Sequence, residues 1–93
     1  AYTATGMYEK GLEVDLKLEK LRPEDPLVHY NLACSFSLLE MLSESLGALE
    51  KAIDLGYDDL EHLVNDGDLD GVKDEDGYKV LIHKLKKTLK KNV

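Results

Sequence analysis

Carboxylates between positions 66 and 76 are the residues of this chain best suited to chemistry. Asp66, Asp68, Asp70 and Asp74 stand two to four residues apart, and a glycine follows the first and the third of them. Ca²⁺ prefers oxygen ligands and takes several carboxylates from one short loop. Weak calcium binding by the acidic loop 66–76 is therefore one hypothesis for this chain.

This loop agrees only in part with the EF-hand pattern. It matches the first, third, fifth, sixth and ninth positions, but Gly77 stands where the EF-hand has its bidentate Glu. Lys73 replaces an apolar residue that normally faces the core. The competing interpretation is that these aspartates cap turns and helix starts, which Asp does well. No metal ligand is assigned on this pattern.

Other catalytic or metal-binding chemistry has little support in the sequence. His29, His62 and His83 are not at metal-ligand spacing from one another or from Cys34, the single cysteine. His29 lies about 140° from Cys34 around a helix and cannot serve as its base. The sequence has no glycine-rich phosphate loop and no Gly-x-Ser-x-Gly motif. We predict no enzyme and no cofactor.

Composition and charge exclude further classes. The 93 residues carry 12 Lys and Arg against 19 Asp and Glu, a net charge of −7, whereas binding to nucleic-acid phosphates needs a basic surface. The longest apolar stretch, 36–42, is too short to span a bilayer, so no membrane insertion is expected. A lone cysteine and no visible secretory leader are typical of a reducing compartment, and we expect a cytoplasmic protein.

The charge is divided unevenly along the chain. Residues 1–76 hold nineteen acidic and six basic residues, a net −13, whereas residues 77–93 hold six lysines and no acid. Nine of the acidic residues lie within 58–76. The acidic stretch and the basic end can attract each other within one fold, or they can form two separate binding surfaces.

Apolar spacing predicts helices throughout. Residues 7–21 carry apolar side chains at three- and four-residue steps, which predicts a helix that ends before Pro23. Asp25 followed by Pro26 is a typical helix start and predicts a second helix over 26–40.

Three further segments follow from the same signals. Ser43 is expected to cap a third helix that ends at Gly56. A short helix over 58–64 then precedes the acidic loop, and an amphipathic lysine-rich helix closes the chain. We expect this last helix to dock as a polar cap; the alternative is that it lies on an acidic membrane.

The sequence also repeats with a period of about 34 residues. Shifting it by 34 places residues 11–14 over 45–48 and Leu21 over Leu55, so small residues fall on small ones and leucine on leucine. A period near 34 built of helix pairs is typical of one repeat class.

Segment 25–57 resembles the tetratricopeptide repeat (TPR) family. Seven of its residues stand at the family's packing positions in the two helices: His29, Leu32, Ala33, Phe36, Ser45, Leu49 and Ala52. The small ones among them let two antiparallel helices approach closely. His29 departs from the family's Trp, and Tyr57 departs from its closing Pro.

This resemblance implies an all-α fold, in which antiparallel helix pairs form a short TPR-like α-solenoid with a C-terminal capping helix. In a single domain of residues 1–93, residues 1–22 would be the second helix of a degenerate upstream repeat. Residues 25–57 would be one complete repeat. Residues 58–93 would be a closing segment with the acidic loop and the basic capping helix.

In TPR proteins the first helix of each pair lines a concave binding surface. The resemblance implies that this surface here consists of Tyr30, Asn31, Cys34, Ser37 and Leu38. Some members hold a peptide's C-terminal carboxylate with lysine, arginine and asparagine side chains. Asn31 matches one such asparagine, but the basic partners are absent from this helix. The alternative is that the upstream helix or the closing segment covers this face as ordinary core.

The expected function is a non-catalytic protein–protein interaction module that binds a segment of another protein or peptide. The alternatives are a weak calcium-binding module and a purely structural end-cap of a longer repeat array. A homodimer through the open upstream face is a further hypothesis, since a half repeat leaves one apolar helix side unpartnered.

Overall fold

The computed structural model describes residues 4–91, with side chains from Met7 to Lys91. Within that range five α-helices and one 3₁₀ helix follow one another and no strand occurs, which confirms the predicted all-α fold. The elements are α1 (Ala4–Leu21), α2 (Pro26–Leu38), α3 (Leu42–Asp54), α4 (Leu60–Asn65), the 3₁₀ helix (Gly67–Val72) and α5 (Asp76–Lys91).

Helix α2 begins where the sequence predicts. The Asp25 carboxylate accepts a hydrogen bond from the backbone N–H of Leu27 at 2.9 Å, and Pro26 is the first helical residue. Proline is well tolerated there because the first N–H of a helix has no partner within the helix.

The turn between α2 and α3 corrects one prediction. Ser43 does not cap α3; the helix begins at Leu42, after Met41, whose side chain makes no capping hydrogen bond. The turn is closed by the backbone instead. Glu40 adopts a positive φ of 61°, and the N–H of Met41 donates to the carbonyl of Phe36 at 2.8 Å. This Schellman arrangement usually uses glycine, so the sequence does not reveal it here.

Small side chains bring α2 and α3 together, as the repeat pattern predicts. Ala33, Ser45 and Ala52 are fully buried, and the Ser45 hydroxyl donates to the carbonyl of Ala33 at 2.6 Å. Leu32 of α2 and Leu49 of α3 are also buried, and Leu49 belongs to the core cluster. The α2–α3 hairpin is therefore the centre of the fold.

Helix α1 packs on the outer side of α2 through polar contacts. The Ser35 hydroxyl donates to the Asp15 carboxylate of α1 at 2.7 Å, and Nδ1 of the buried His29 ring lies 3.6 Å from the Glu19 carboxylate of α1. The other ring nitrogen, Nε2, lies 2.7 Å from the carbonyl of Pro23 in the turn that follows α1. The predicted apolar face of α1 is only partly used by this contact. Four apolar residues of this helix remain exposed, namely Met7, Val14, Leu16 and Leu21.

The closing segment wraps around the hairpin. Between α4 and α5 the predicted loop is a 3₁₀ helix, whose Leu69 and Val72 are fully buried against the core. Gly71 approaches α2 so closely that a Cβ there would lie 3.2 Å from the Ser37 hydroxyl oxygen. These apolar contacts explain why the acidic stretch is ordered and not an open loop.

Helix α5 docks its apolar face, as predicted for a polar cap. Tyr78, Leu81 and Leu85 are buried in the core cluster, whereas the lysines of this helix are exposed. Lys84 is paired with Asp54 of α3. Among residues 4–91, no helix has both the length and the apolar character needed to cross a membrane.

Replacing Leu85 with Asp should unfold the protein. Leu85 is 1% exposed, and an unpaired carboxylate at a buried position costs several kcal/mol, comparable with the whole stability of a small domain. Val80→Asp is the matched control, because Val80 is 65% exposed on the same helix. Thermal melts by circular dichroism should show a lost transition for the first variant and a nearly unchanged one for the control. Equal melts for both variants would contradict the docked cap.

Candidate functional site

The structure separates the five residues that were predicted to bind a partner. Tyr30, Cys34 and Ser37 are buried, whereas Asn31 is exposed and Leu38 is half-buried. Helix α2 contacts α1, α3 and the 3₁₀ helix, so little of its surface is left open. The closing segment thus covers the middle of the predicted face, which is the alternative stated for it above. Partner binding by these five residues stays a prediction.

One carboxylate holds the closing segment on α2. The Tyr30 hydroxyl donates to Asp66 Oδ2 at 2.7 Å, and the Cys34 thiol donates to the same oxygen at 3.7 Å. Asp66 Oδ1 accepts from the backbone N–H of Asp68 at 2.9 Å and so begins the 3₁₀ helix. His62 Nε2 lies 3.4 Å from Oδ2. Asp66 is 36 residues from Tyr30, and no local sequence signal pairs them.

These contacts set the protonation of the cluster. Burial alone would raise the pKa of Asp66, but hydrogen bonds from Tyr30, Asp68 N–H and Cys34, with His62 nearby, bring its pKa below the ordinary value. Burial, together with the adjacent carboxylates, raises the pKa of the Cys34 thiol. Burial and the bond to Asp66 raise the pKa of Tyr30. At neutral pH the cluster is one carboxylate surrounded by donors.

Two tyrosine rings are stacked beside this carboxylate. Tyr30 and Tyr57 lie 4.4 Å apart between ring centroids with an interplanar angle of 7°, and the His62 ring lies 5.7 Å from Tyr30. Gly56, at φ 111°, turns the chain after α3 and brings Tyr57 into this position. The Tyr57 hydroxyl is buried and has no hydrogen-bond partner within residues 4–91, and burial raises the pKa of Tyr57 to about 12.

An open pocket, which we call the tyrosine pocket, lies above the stacked rings. Its volume is about 400 Å³, in the lower part of the range for ligand sites. One wall is the beginning of α2, and the other is the segment from Gly56 to His62. The lining residues used below are Pro26, Leu27, Tyr30, Asn31, Tyr57, Asp58, Asp59 and His62. Two of the predicted binding residues, Tyr30 and Asn31, are among them.

The acidic segment does not adopt the calcium-loop arrangement suggested by its spacing. It forms a 3₁₀ helix in which Asp70 is paired with Lys73 at 2.8 Å. Ligand atoms of Cys34, Asp66 and Asp68 lie within 4.8 Å of one another. A cation there would have to displace the protons that Tyr30 and Cys34 direct at Asp66, and the raised pKa of Cys34 disfavours the thiolate that metals bind. Calcium binding stays a prediction with little geometric support.

Removing the Tyr30 hydroxyl should destabilise the fold, whereas removing the Tyr57 hydroxyl should not. Tyr30→Phe takes the strongest donor from a partly buried carboxylate, and the loss should be about 1.5–3 kcal/mol of unfolding free energy. Tyr57→Phe removes a buried hydroxyl that has no partner within residues 4–91, so its unfolding free energy should stay the same or rise. Urea unfolding of both variants measures this. Equal losses would show that the Tyr30–Asp66 bond does not stabilise the closing segment.

The Asp66 carboxylate should make the unfolding free energy depend on pH. Because the folded pKa of Asp66 is below its unfolded value of about 3.9, its contribution is present above that pH and is lost as the pH falls through the folded pKa. The unfolding free energies of wild type and Asp66→Asn should differ most near pH 7 and converge towards pH 2. Tyr57→Phe should run parallel to wild type. A constant difference across this range would contradict the lowered pKa.

Comparisons with known proteins find a plant relative of this chain. No protein-family model and no solved structure matches the chain. It is similar to a protein of Arabidopsis thaliana that is named as chloroplastic, with 32% identity over 84 residues, covering 87% of this chain and 25% of that protein. The chain thus spans about a quarter of the length of this relative. The name of the relative states a compartment and no ligand or activity.

Proposed function

We propose that this chain is a non-catalytic interaction module that binds a segment of another protein at the tyrosine pocket. The observation that carries the proposal is the composition of that pocket. Leu27 is 59% exposed and Asn31 is exposed, next to two buried aromatic rings in an opening of about 400 Å³. Exposed apolar surface with a few polar groups is the surface that peptide segments bind.

The position of the pocket agrees with the proposed repeat. It lies at the N-terminal end of the α2 face that the TPR resemblance implies, and the covered part of that face lies further along the helix at Cys34 and Ser37. We therefore propose that a partner contacts the first turns of α2 and the 56–62 segment. The close packing at Ala33 and Ser45 supports a TPR-type hairpin.

Protonation and charge support a binding role over catalysis. A nucleophilic cysteine needs a lowered pKa and a general acid needs a raised one, whereas Cys34 and Asp66 are shifted in the opposite directions. The net −13 of residues 1–76 favours a protein partner over nucleic acid.

A second candidate is the structural end-cap of a larger helical assembly. The observation that favours it is the exposed stripe on α1, where Met7, Val14 and Leu21 stand seven residues apart and are 58%, 55% and 77% exposed. Such a stripe suits packing against another helix, including α1 of a second copy in a homodimer.

The compartment is part of the proposal. The sequence predicts a cytoplasmic protein, while the Arabidopsis relative is named as a chloroplast protein. Imaging the full-length protein fused to a fluorescent tag distinguishes these two locations.

Peptide selection tests the proposed function. The folded chain selects binders from a displayed library of random dodecapeptides, and a recovered peptide is synthesised and titrated into ¹⁵N-labelled protein. The largest amide shifts should fall on Leu27, Asn31 and the 56–62 segment. Leu27→Gln should weaken binding, whereas Val80→Gln, at a similarly exposed apolar position on α5, should not. Shifts confined to α1 would favour the end-cap, and failure to recover any peptide would overturn the module.

A further inference from the structure

We infer that the segment bound at the tyrosine pocket presents a lysine or arginine side chain to the carboxylates of Asp58 and Asp59. This inference rests on the proposed function and names the chemical class of the partner. Three observations carry it: the sign of the charge around the pocket, the lack of cations to balance it among the described residues, and the apolar wall beside it.

The charge around the pocket is acidic and unpaired. Asp58 and Asp59 both line the pocket and are exposed. Within residues 4–91 neither carboxylate forms an ion pair, and no lysine or arginine lines the pocket. One carboxylate oxygen of Asp59 accepts a hydrogen bond from the backbone N–H of His62 at 3.0 Å. This bond caps α4 and leaves the other oxygen of Asp59 available. A cation from a partner would meet two exposed carboxylates, of which that of Asp59 is held by its capping hydrogen bond.

The acidic surface continues beyond the pocket. A neighbouring groove shares Asp59 and His62 with it and adds Glu61 and Asn65. The lysines of the chain are concentrated in 77–93. The acidic surface is therefore longer than one side chain. It attracts a basic segment and repels a carboxylate group.

The shape of the pocket suits a long cationic side chain. Lys and Arg place an apolar stem on apolar surface and keep the charged end at the water boundary. Pro26 and Leu27 form the apolar wall, while Asp58 and Asp59 stand at the turn opposite. Asn31, the residue that resembles a carboxylate-binding asparagine, here shares a pocket with two carboxylates. The pocket therefore selects the opposite charge.

Selection with matched charge variants tests this inference. The pocket variant is Asp58→Asn with Asp59→Asn, in which asparagine still caps α4. The control is Asp68→Asn with Asp74→Asn. It lowers the negative charge by the same amount, two units, at positions outside the pocket. Wild type and control should enrich lysine- and arginine-containing dodecapeptides, and the pocket variant should not. A recovered peptide should bind the pocket variant about 5–10-fold more weakly than the control at low salt, as the loss of two exposed charge pairs implies.

Failure of the inference and failure of the proposed function give different outcomes. Neutral or acidic peptides that shift Leu27 and Asn31 would overturn the inference and leave the interaction module in place. Basic peptides weakened equally by both double variants would show general attraction to an acidic protein, which also overturns it. Absence of any peptide at the pocket would overturn both. If sedimentation shows that the wild type self-associates and the pocket variant does not, a second copy of this chain occupies the pocket. That result would overturn the inference of a separate partner segment.

Discussion

The ionised carboxylate of Asp66 is the point on which the rest of this structure depends. It lies in a part of the chain crowded with acid, and a partly buried carboxylate there needs compensation. Tyr30, Cys34 and the N–H of Asp68 supply hydrogen bonds to it, and His62 lies beside it. Because these groups come from α2, α4 and the 3₁₀ helix, satisfying one charge also docks the closing segment.

Docking decides which part of the α2 face is accessible. The 3₁₀ helix covers the middle of α2, where Gly71 permits close approach to Ser37. The covering ends before the first turns of α2, and there the stacked Tyr30 and Tyr57 form the base of the tyrosine pocket. The binding surface predicted on α2 is thus divided into a buried part and a smaller open site with an acidic rim.

Local signals in the sequence account for the helices and the central hairpin. Asp25-Pro26 starts α2 and Gly56 ends α3, since capping and left-handed backbone depend on residues within one turn. Small residues at Ala33 and Ser45 indicate the close hairpin. The same reasoning fails at Glu40, which has a positive φ. Glycine is the residue that signals this backbone conformation in a sequence, so a glutamate there does not predict the turn.

By itself, therefore, the sequence determined the all-α class, the order of the helices, the small-residue contact of the hairpin and the separation of acidic from basic charge. Only the tertiary structure decided that Tyr30 and Cys34 point at Asp66, and that the acidic segment lies on α2 as a 3₁₀ helix. The physical reason is distance along the chain. Helix periodicity and capping act over a few residues, whereas a hydrogen bond across 36 residues depends on how whole elements pack.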